Sequence, residues 1–201
     1  MSNSIEQYQD IFAYFEQFVS FSDEEKIGFS SLLNTKKYKK GETITAIDSV
    51  EQHLTFISSG IVRGYYLKGV DNFTYFIEFP NAFVCAFSSF TNQMPSEVGL
   101  EAMTDVTVYQ MRYSDLQILY NSSKEGERMG RFAAEQMCSV YETRLMDLLT
   151  KSAIDRYEEL VVNEPRLILT IPQKYVAEYL GIQPESLSRL KKQVMIKSTN
   201  H

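Results

Sequence analysis

The stretch from Thr170 to Gln193 reads TIPQKYVAEYLGIQPESLSRLKKQ and decides the fold of the C-terminal part of the chain. Val176, Ala177 and Leu180 have the three- and four-residue spacing of the buried side of one helix. Gly181 follows at the point where a helix commonly ends on a left-handed residue. The pattern therefore predicts a short helix that stops at Gly181.

The two ends of this segment carry further helix signals. Thr170 is expected to cap the first helix, with Gln173 closing a capping box. Pro184 suits the first turn of a second helix. The buried stripe of that second helix is formed by Leu187, Leu190 and Val194.

Two such helices joined by a tight turn predict a helix-turn-helix, whose second helix enters the DNA major groove by its N-terminal residues. Glu185, Ser186 and Arg189 are expected to project from the free side of that helix, and small Ala177 lets the two helices cross closely. A plain packing hairpin is the alternative. The polar and basic free side favours DNA binding.

The charge of the chain is unevenly distributed. The 201 residues carry a net charge of −6, but residues 165–201 hold six Lys and Arg against two Asp and Glu, a net of +4. An acidic body with a basic end is typical of a protein that meets a polyanion only through its C-terminal module. A solvated helix end is the alternative interpretation of the same charges.

Composition places the chain among globular proteins, with 44% hydrophobic and 23% charged residues. The start, MSNSIEQYQD, lacks the basic patch and apolar run of a signal peptide, and no run approaches the roughly 18 apolar residues of a membrane span. Cys85 and Cys138 are interpreted as reduced thiols of the core, although a disulfide between them stays open. We therefore expect a cytoplasmic protein without a membrane partner.

The first two thirds of the chain predict helices followed by a β domain. Apolar spacing predicts a helix over 5–18, and SDEE at 22–25 forms a capping box that opens a second helix ending near Leu33. Short β-branched and aromatic segments separated by turns then predict an antiparallel jelly-roll-like domain. These segments are 42–46, 53–59, 61–68, 72–79, 82–87, 98–102 and 105–111.

A long helix follows a short one that Ser114 and Gln117 are expected to cap. From about Lys124 to Thr150 the chain has no proline and a broad apolar band. Such a helix can pack on its own β domain and on a second copy of itself, although burial within one domain is the alternative. The residues predicted for dimerisation are Met129, Phe132, Met137, Val140, Leu145 and Leu148.

The sequence also predicts where this long helix ends. SAID at 152–155 predicts a new cap at Ser152, with Asp155 at the third position, so the long helix should bend near 150–152. NEP at 163–165 stops the next helix.

A β-roll, a long connecting helix and a C-terminal helix-turn-helix resemble the Crp/Fnr family of bacterial transcription regulators. The segment YVAEYLGIQPESLSRLKKQ resembles the DNA-reading motif of that family, and FISSGIVRGYYL resembles its β-roll. The resemblance implies a cytoplasmic homodimer that binds a two-fold operator in double-stranded DNA near promoters, which leaves RNA polymerase open as a further partner. The groove-facing acidic and basic residues of the motif correspond to Glu185 and Arg189.

The resulting fold class is α+β, with a cyclic-nucleotide-binding-domain-like β-roll over 1–122, a dimerisation helix over 123–151 and a winged-helix-like DNA-binding domain with a shortened wing over 152–201. Base edges are expected to be read by Glu185, Ser186 and Arg189. DNA phosphates are expected to contact Gln173, Lys174, Ser188 and Lys192.

The sequence departs from the family pattern in two places. Members that bind cyclic nucleotides carry a Gly-Glu pair and a later Arg-Ser or Arg-Thr pair, and AFVCAFSSFTNQMPSEVGLEA has neither. No Lys or Arg lies between Lys68 and Arg112, and Glu97 and Glu101 are expected to repel a phosphate. Only eight residues follow Gln193, too few for a full two-stranded wing.

Other function classes fail on the residue inventory. A cupin metal site needs several histidines, and only His53 and His201 are present. Two cysteines are too few for an iron–sulfur sensor. Haem sensing through His53 stays open, although a lone histidine at a strand start is more typical of a structural role.

Neither a metal nor another cofactor is assigned from the sequence, and a catalytic constellation is not credible with histidines so placed. The effector stays unknown. The alternative to a DNA-binding regulator is a ligand-sensing or partner-binding protein whose helix-turn-helix no longer binds DNA.

Overall fold

The computed structural model describes residues 2–68, 71–122 and 124–199. The chain forms two compact units. The first comprises residues 1–67 and 76–135, and the second comprises residues 68–75 and 136–201.

Three helices open the first unit: α1 (Ser2–Gln7), α2 (Gln9–Phe15) and α3 (Asp23–Ser31). The prediction of one helix over 5–18 is wrong, because a turn at Tyr8 separates α1 from α2 and buries the Tyr8 ring edge-on against Tyr109, with 4.7 Å between ring centroids. The capping box of α3 is confirmed, since the Ser22 hydroxyl accepts from the Glu25 amide and the Glu25 carboxylate accepts from the Ser22 amide. The helix ends at Ser31, two residues before the expected Leu33.

Eight strands lie within the described residues: β1 (Leu33–Tyr38), β2 (Thr43–Thr45), β3 (His53–Ser59), β4 (Val62–Lys68), β5 (Asp71–Glu78), β6 (Ala82–Val84), β7 (Val98–Ala102) and β8 (Val106–Arg112). The seven predicted strands are confirmed, two of them (53–59 and 98–102) with the predicted ends and the other five with shifted ends. Strand β1 was missed because its sequence, LNTKKY, is polar. The predicted strand 82–87 ends at Val84, and Phe87 instead begins a short helix, α4 (Phe87–Asn92).

The strands form two four-stranded sheets, in the orders β1-β8-β3-β6 and β2-β7-β4-β5. The pairs β1–β8, β3–β8, β3–β6, β2–β7 and β4–β7 are antiparallel. In the first sheet Phe56 lies opposite Tyr109, and in the second Arg63 lies opposite Glu101. The predicted jelly-roll-like β domain of an α+β protein is thereby confirmed.

Two apolar clusters stabilise the first unit. One lies between the helices and the first sheet, and its members include Ile11, Phe12, Phe15, Phe29, Phe56, Met111, Leu116 and Met129. The other draws on both sheets and contains Ile57, Val62, Phe76, Val84, Leu100, Ala102, Val106 and Val108. Because these side chains are nearly removed from water, they supply the main driving force for folding this unit.

Helix α5 (Tyr113–Ser122) continues directly from β8. The predicted capping box is wrong, since Ser114 lies inside the helix and its hydroxyl contacts the neighbouring Asp115 carboxylate at 3.4 Å. Helix α6 (Lys124–Thr150) has the predicted length of 27 residues and contributes to both units.

Four more helices follow: α7 (Ala153–Asn163), α8 (Pro165–Thr170), α9 (Gln173–Leu180) and α10 (Pro184–Thr199). The capping box of Ser152 and Asp155 is confirmed, and α7 ends before Pro165 as predicted. Helix α8 was not predicted. Because Thr170 is its last residue, the prediction that Thr170 caps α9 is wrong.

The second unit has its own apolar core, made of Tyr157, Leu160, Leu167, Ile171, Val176, Ala177, Leu180 and Leu187. Residues of β5 also belong to this unit. The Thr74 hydroxyl donates to the Glu178 carboxylate at 2.6 Å, and the Tyr75 ring stacks on Tyr141 with 5.5 Å between centroids. A polar contact and a ring contact thus hold this strand segment within the second unit.

Candidate nucleic-acid interface

Helices α9 and α10 form the helix-turn-helix that the sequence predicted. Val176 and Ala177 are fully buried, and Leu187 on α10 is 1% exposed. Gly181 adopts φ +71°, the left-handed conformation that a Cβ atom disfavours. The amides of Gly181 and Ile182 then bond to the Glu178 and Ala177 carbonyls, each at 3.0 Å, which reverses the chain between the helices.

The free face of α10 is polar and basic at its N-terminal end. Glu185, Ser188, Arg189 and Lys192 are exposed, and their spacing of three and four residues places them on one side of the helix. Ser186 is half-buried. The structure therefore groups Ser188, rather than Ser186, with Glu185 and Arg189.

The start of α9 lies open to solvent. Its N-cap residue, Pro172, makes no side-chain capping bond, although the sequence had predicted a capped end. Gln173 and Lys174 are exposed there, and the Lys174 ammonium lies 3.9 Å from the Glu178 carboxylate. Since the first amides of a helix and its dipole attract anions, this end is suited to a phosphate group.

Part of the predicted dimerisation set packs within the first unit. Met129 is 4% exposed and belongs to the cluster beneath the N-terminal helices. The half-buried ring of Phe132 stacks on Phe18, with 3.6 Å between centroids. These two contacts give both side chains a role inside one chain.

The later turns of α6 expose more apolar surface than the turn that carries Met129 and Phe132. Met137 is half-buried, but large apolar side chains beyond it lie in solvent. At 100° per residue they cover more than half of the circumference of the helix. Their exposed fractions are 56% for Val140, 56% for Leu145, 49% for Met146, 42% for Leu148 and 71% for Leu149.

The β-roll segment that departs from the family pattern is occupied by internal contacts. The Ala86 amide lies 3.4 Å from the buried carboxylate of Glu51, and the Ser96 hydroxyl donates to the Val98 carbonyl at 2.7 Å. The expectation for Glu101 needs correction. Its carboxylate accepts from the buried Arg63 guanidinium at 2.9 and 3.1 Å, so its charge is already compensated.

The cysteine interpretation is partly wrong. Both thiols are free, but only Cys85 is buried, and Cys138 is exposed on α6. Burial raises the pKa of the Cys85 thiol, which keeps it neutral. His53 begins β3 as expected, and burial lowers its pKa.

Sequence reasoning missed two arginines that contact the end of α9, Arg144 on α6 and Arg156 on α7. The available signal was the position of Arg144 inside the apolar band of α6. No described helix is both long enough and apolar enough to span a membrane.

Residues 35–123 match the family model described as "Cyclic nucleotide-binding domain". No curated protein matches the sequence. Solved structures of Crp/Fnr regulators have similar folds. The predicted resemblance to that family is therefore confirmed for the fold.

Three of these structures illustrate the likeness. FixK2 from Bradyrhizobium japonicum has a TM-score of 0.73 at 18% identity, over 83% of this chain and 86% of its own. A transcriptional regulator of the Crp/Fnr family from Eubacterium rectale has a TM-score of 0.72 at 19% identity, over 92% and 88%. The c-di-GMP responsive global regulator CLP from Xanthomonas campestris has a TM-score of 0.66 at 16% identity, over 86% and 91%. The chain therefore has the fold of a Crp/Fnr regulator, with a cyclic nucleotide-binding domain followed by C-terminal helices.

Proposed function

We propose that the protein is a cytoplasmic transcription regulator of Crp/Fnr type that binds a two-fold DNA operator as a homodimer and has no catalytic role. The observation that carries this proposal is the helix-turn-helix, whose second helix buries Leu187 and exposes Glu185, Arg189 and Lys192. Residues 1–122 act as the sensor, 123–151 as the dimerisation helix and 152–201 as the DNA-binding domain.

The exposed side of α10 suits the edges of base pairs. Arg189 can donate two hydrogen bonds to guanine O6 and N7, and Glu185 can accept from a cytosine amino group. They are four residues apart, so both reach the major groove together. Ser186, between them in sequence, is half-buried, so we give it a smaller part in base reading than Glu185 and Arg189.

Phosphate contacts fix the register of the helix on the duplex without specifying sequence. Gln173 and Lys174, at the uncapped start of α9, are placed for one such contact. Ser188 and Lys192 are exposed one and two turns along α10 and can contribute another.

Dimerisation is proposed through the later turns of α6. Apolar side chains exposed over more than half of a helix are unfavourable in water, and a second copy of the same helix can cover them. Val140, Leu145 and Leu148 carry this contact. Met129 and Phe132 are left out because they pack within one chain.

The effector is proposed not to be cyclic AMP or cyclic GMP. A phosphodiester removed from water needs a charge-assisted partner, and 82–102 contains no Lys or Arg. The nearby cation of Arg63 is already paired with Glu101. We expect calorimetry to detect no saturable binding of either nucleotide, and micromolar binding would refute this part of the proposal.

The proposal is tested by selecting DNA from a random duplex library with the purified protein. The expected result is enrichment of an inverted repeat whose half-sites lie about one helical turn, roughly 34 Å, apart. Enrichment of a single, unrepeated site would contradict the proposal that the protein binds as a homodimer. Absence of any enriched sequence would favour the alternative, a ligand-sensing protein whose helix-turn-helix no longer binds DNA.

A further inference from the structure

The last carbonyls of α9 are satisfied in an unusual way. A helix leaves its final four carbonyl groups without partners inside the helix. The amides of Gly181 and Ile182 bond to two of them, those of Glu178 and Ala177. The carbonyls of Tyr179 and Leu180 remain, and each accepts a hydrogen bond from an arginine of another helix.

Arg144 reaches Tyr179 from α6. Its guanidinium donates to the Tyr179 carbonyl and lies over the ring of the same residue, 3.9 Å from the centroid. The side chain is half-buried, and burial lowers its pKa, although an arginine stays protonated at any physiological pH. One residue of α9 thus holds this cation by both its backbone and its ring.

Arg156 reaches Leu180 from α7. One of its terminal nitrogens donates to the Leu180 carbonyl at 2.9 Å, and the other donates to the Lys151 carbonyl at 2.6 Å. Lys151 directly follows the last residue of α6. Arg156 therefore bridges the end of the long helix and the end of the first helix of the helix-turn-helix.

The arrangement is not an ordinary set of ion pairs. Two nearby carboxylates, those of Asp147 and Glu159, bind the Lys151 ammonium at 2.7 and 2.5 Å. The arginines instead face carbonyl groups at the negative end of a helix dipole, which favours cations. A planar guanidinium with several fixed donors can join two separate acceptors rigidly, which a lysine ammonium on a flexible stem does less well.

We propose that Arg144 and Arg156 form a clamp that fixes the helix-turn-helix on the dimerisation helix and so selects the spacing between the two DNA half-sites. This inference rests on the proposed function, and both arginines are positioning residues that touch no DNA. In a dimer joined through α6, the distance between the two copies of α10 depends on how α9 is attached to α6. Changing the spacing of the half-sites by one base pair moves one of them by about 3.4 Å and rotates it by roughly 34°.

The test uses full-length protein and the selected operator with its half-sites at the native spacing, one base pair closer and one base pair further apart. A duplex with a single half-site is measured alongside. The wild type is expected to prefer the native spacing by about tenfold or more, an energy that one or two charged hydrogen bonds can supply. The double variant Arg144→Lys/Arg156→Lys should reduce that preference to about threefold or less, with affinity for the single half-site within about twofold of the wild type.

Two further variants keep the test decisive if the double variant does not fold. Arg156→Lys removes the bridge between Lys151 and Leu180, and Tyr179→Leu removes the ring beneath Arg144 but keeps the carbonyl. Each should relax spacing preference in part. Arg131→Lys is the matched control, because Arg131 lies on the same helix, is exposed and pairs only loosely with Glu135 at 3.7 Å; it should bind like the wild type.

The outcomes separate the two proposals. If the clamp variants keep the full spacing preference of the wild type, or lose half-site and operator affinity equally, the clamp does not select spacing and the inference is overturned. A wild type that binds no DNA at any spacing overturns the proposed function and the inference together.

Discussion

The two compact units use their charged and apolar side chains differently. In the first unit, the buried cation of Arg63 meets Glu101, and the buried carboxylate of Glu51 accepts from Thr45 at 2.7 Å. In the second unit, Arg189 and Lys192 extend from α10 into solvent. The contacts of Arg63 and Glu51 are internal to the first unit, whereas these two cations of the second unit face outward.

Two leucines show the same contrast. Leu100 in the β-roll is fully buried, but Leu149 on the later part of α6 is 71% exposed. Polar groups that are bonded internally and apolar groups that are buried stabilise the folded chain. We propose DNA as the partner of the exposed charged side chains of α10, and a second copy of the chain as the partner of the exposed apolar side chains of α6.

The largest expected effect comes from placing charges among the exposed apolar side chains of α6. Val140→Asp combined with Leu148→Asp places two charges where the partner helix should pack, so the protein should sediment as a monomer. Operator affinity should fall by about 10²–10⁴-fold, because simultaneous binding of two half-sites is lost. Thr143→Asp, at an exposed polar position of the same helix, serves as the control. Unchanged dimers in the double variant would contradict the assignment.

A smaller effect is expected from weakening the core of the second unit. Leu187, on the buried side of α10, is 1% exposed. Leu187→Ala should lower the free energy of unfolding by about 2–5 kcal/mol, since it removes buried methyl groups and leaves a cavity. Urea denaturation monitored by circular dichroism measures the change.

The matched control for that truncation is Leu169→Ala. Leu169 is 85% exposed in the same unit, so its loss should change the free energy of unfolding by less than about 0.5 kcal/mol. Equal losses from the two variants would show that α10 does not bury Leu187 in solution.

The smallest effect concerns pH and the first unit. Burial lowers the pKa of His53 below its ordinary value, although the nearby carboxylate of Glu51 opposes the shift. The unfolded chain then binds more protons than the folded one as the pH falls through about 6.5, so stability should decrease on acidification in that window.

His53→Gln removes the titrating group. Thermal denaturation at pH 7.5 and pH 5.5 should therefore show a smaller acid-induced decrease in Tm for the variant than for the wild type. An identical decrease in both proteins would exclude His53 as a contributor.

Local sequence signals predicted two helix boundaries of the second unit correctly, although helix α8 was missed. Gly181 marked a left-handed helix end, and Ser152 with Asp155 marked a helix start, because each depends on residues within one turn of the chain. The exposed face of α10 followed from helical spacing alone.

Signals that depend on distant partners were missed. Strand β1 is polar and pairs with β8, about seventy residues later in the chain. The clamp of Arg144 and Arg156 depends on carbonyl groups of α9, and the position of Arg144 in the apolar band of α6 marks the residue but does not identify those acceptors. Cys138 was expected in a core because apolar residues lie near it in the sequence, but the thiol is exposed and so is Val140, two residues later.

The measurement that tests the central claim most directly compares Arg189→Ala with Lys174→Ala. Each variant loses one exposed positive charge of the helix-turn-helix. Binding to the selected operator, and to versions mutated at each position, is measured across a range of salt concentrations.

Arg189→Ala is expected to cost about 1–3 kcal/mol and to relax preference at one base pair of each half-site, because it removes a contact to a base edge. Lys174→Ala is expected to weaken binding to all sequences alike and to lower the salt slope by about one, because it removes a phosphate contact. If Arg189→Ala binds more weakly but keeps the full sequence preference of the wild type, α10 does not read the operator through Arg189 and the account is contradicted.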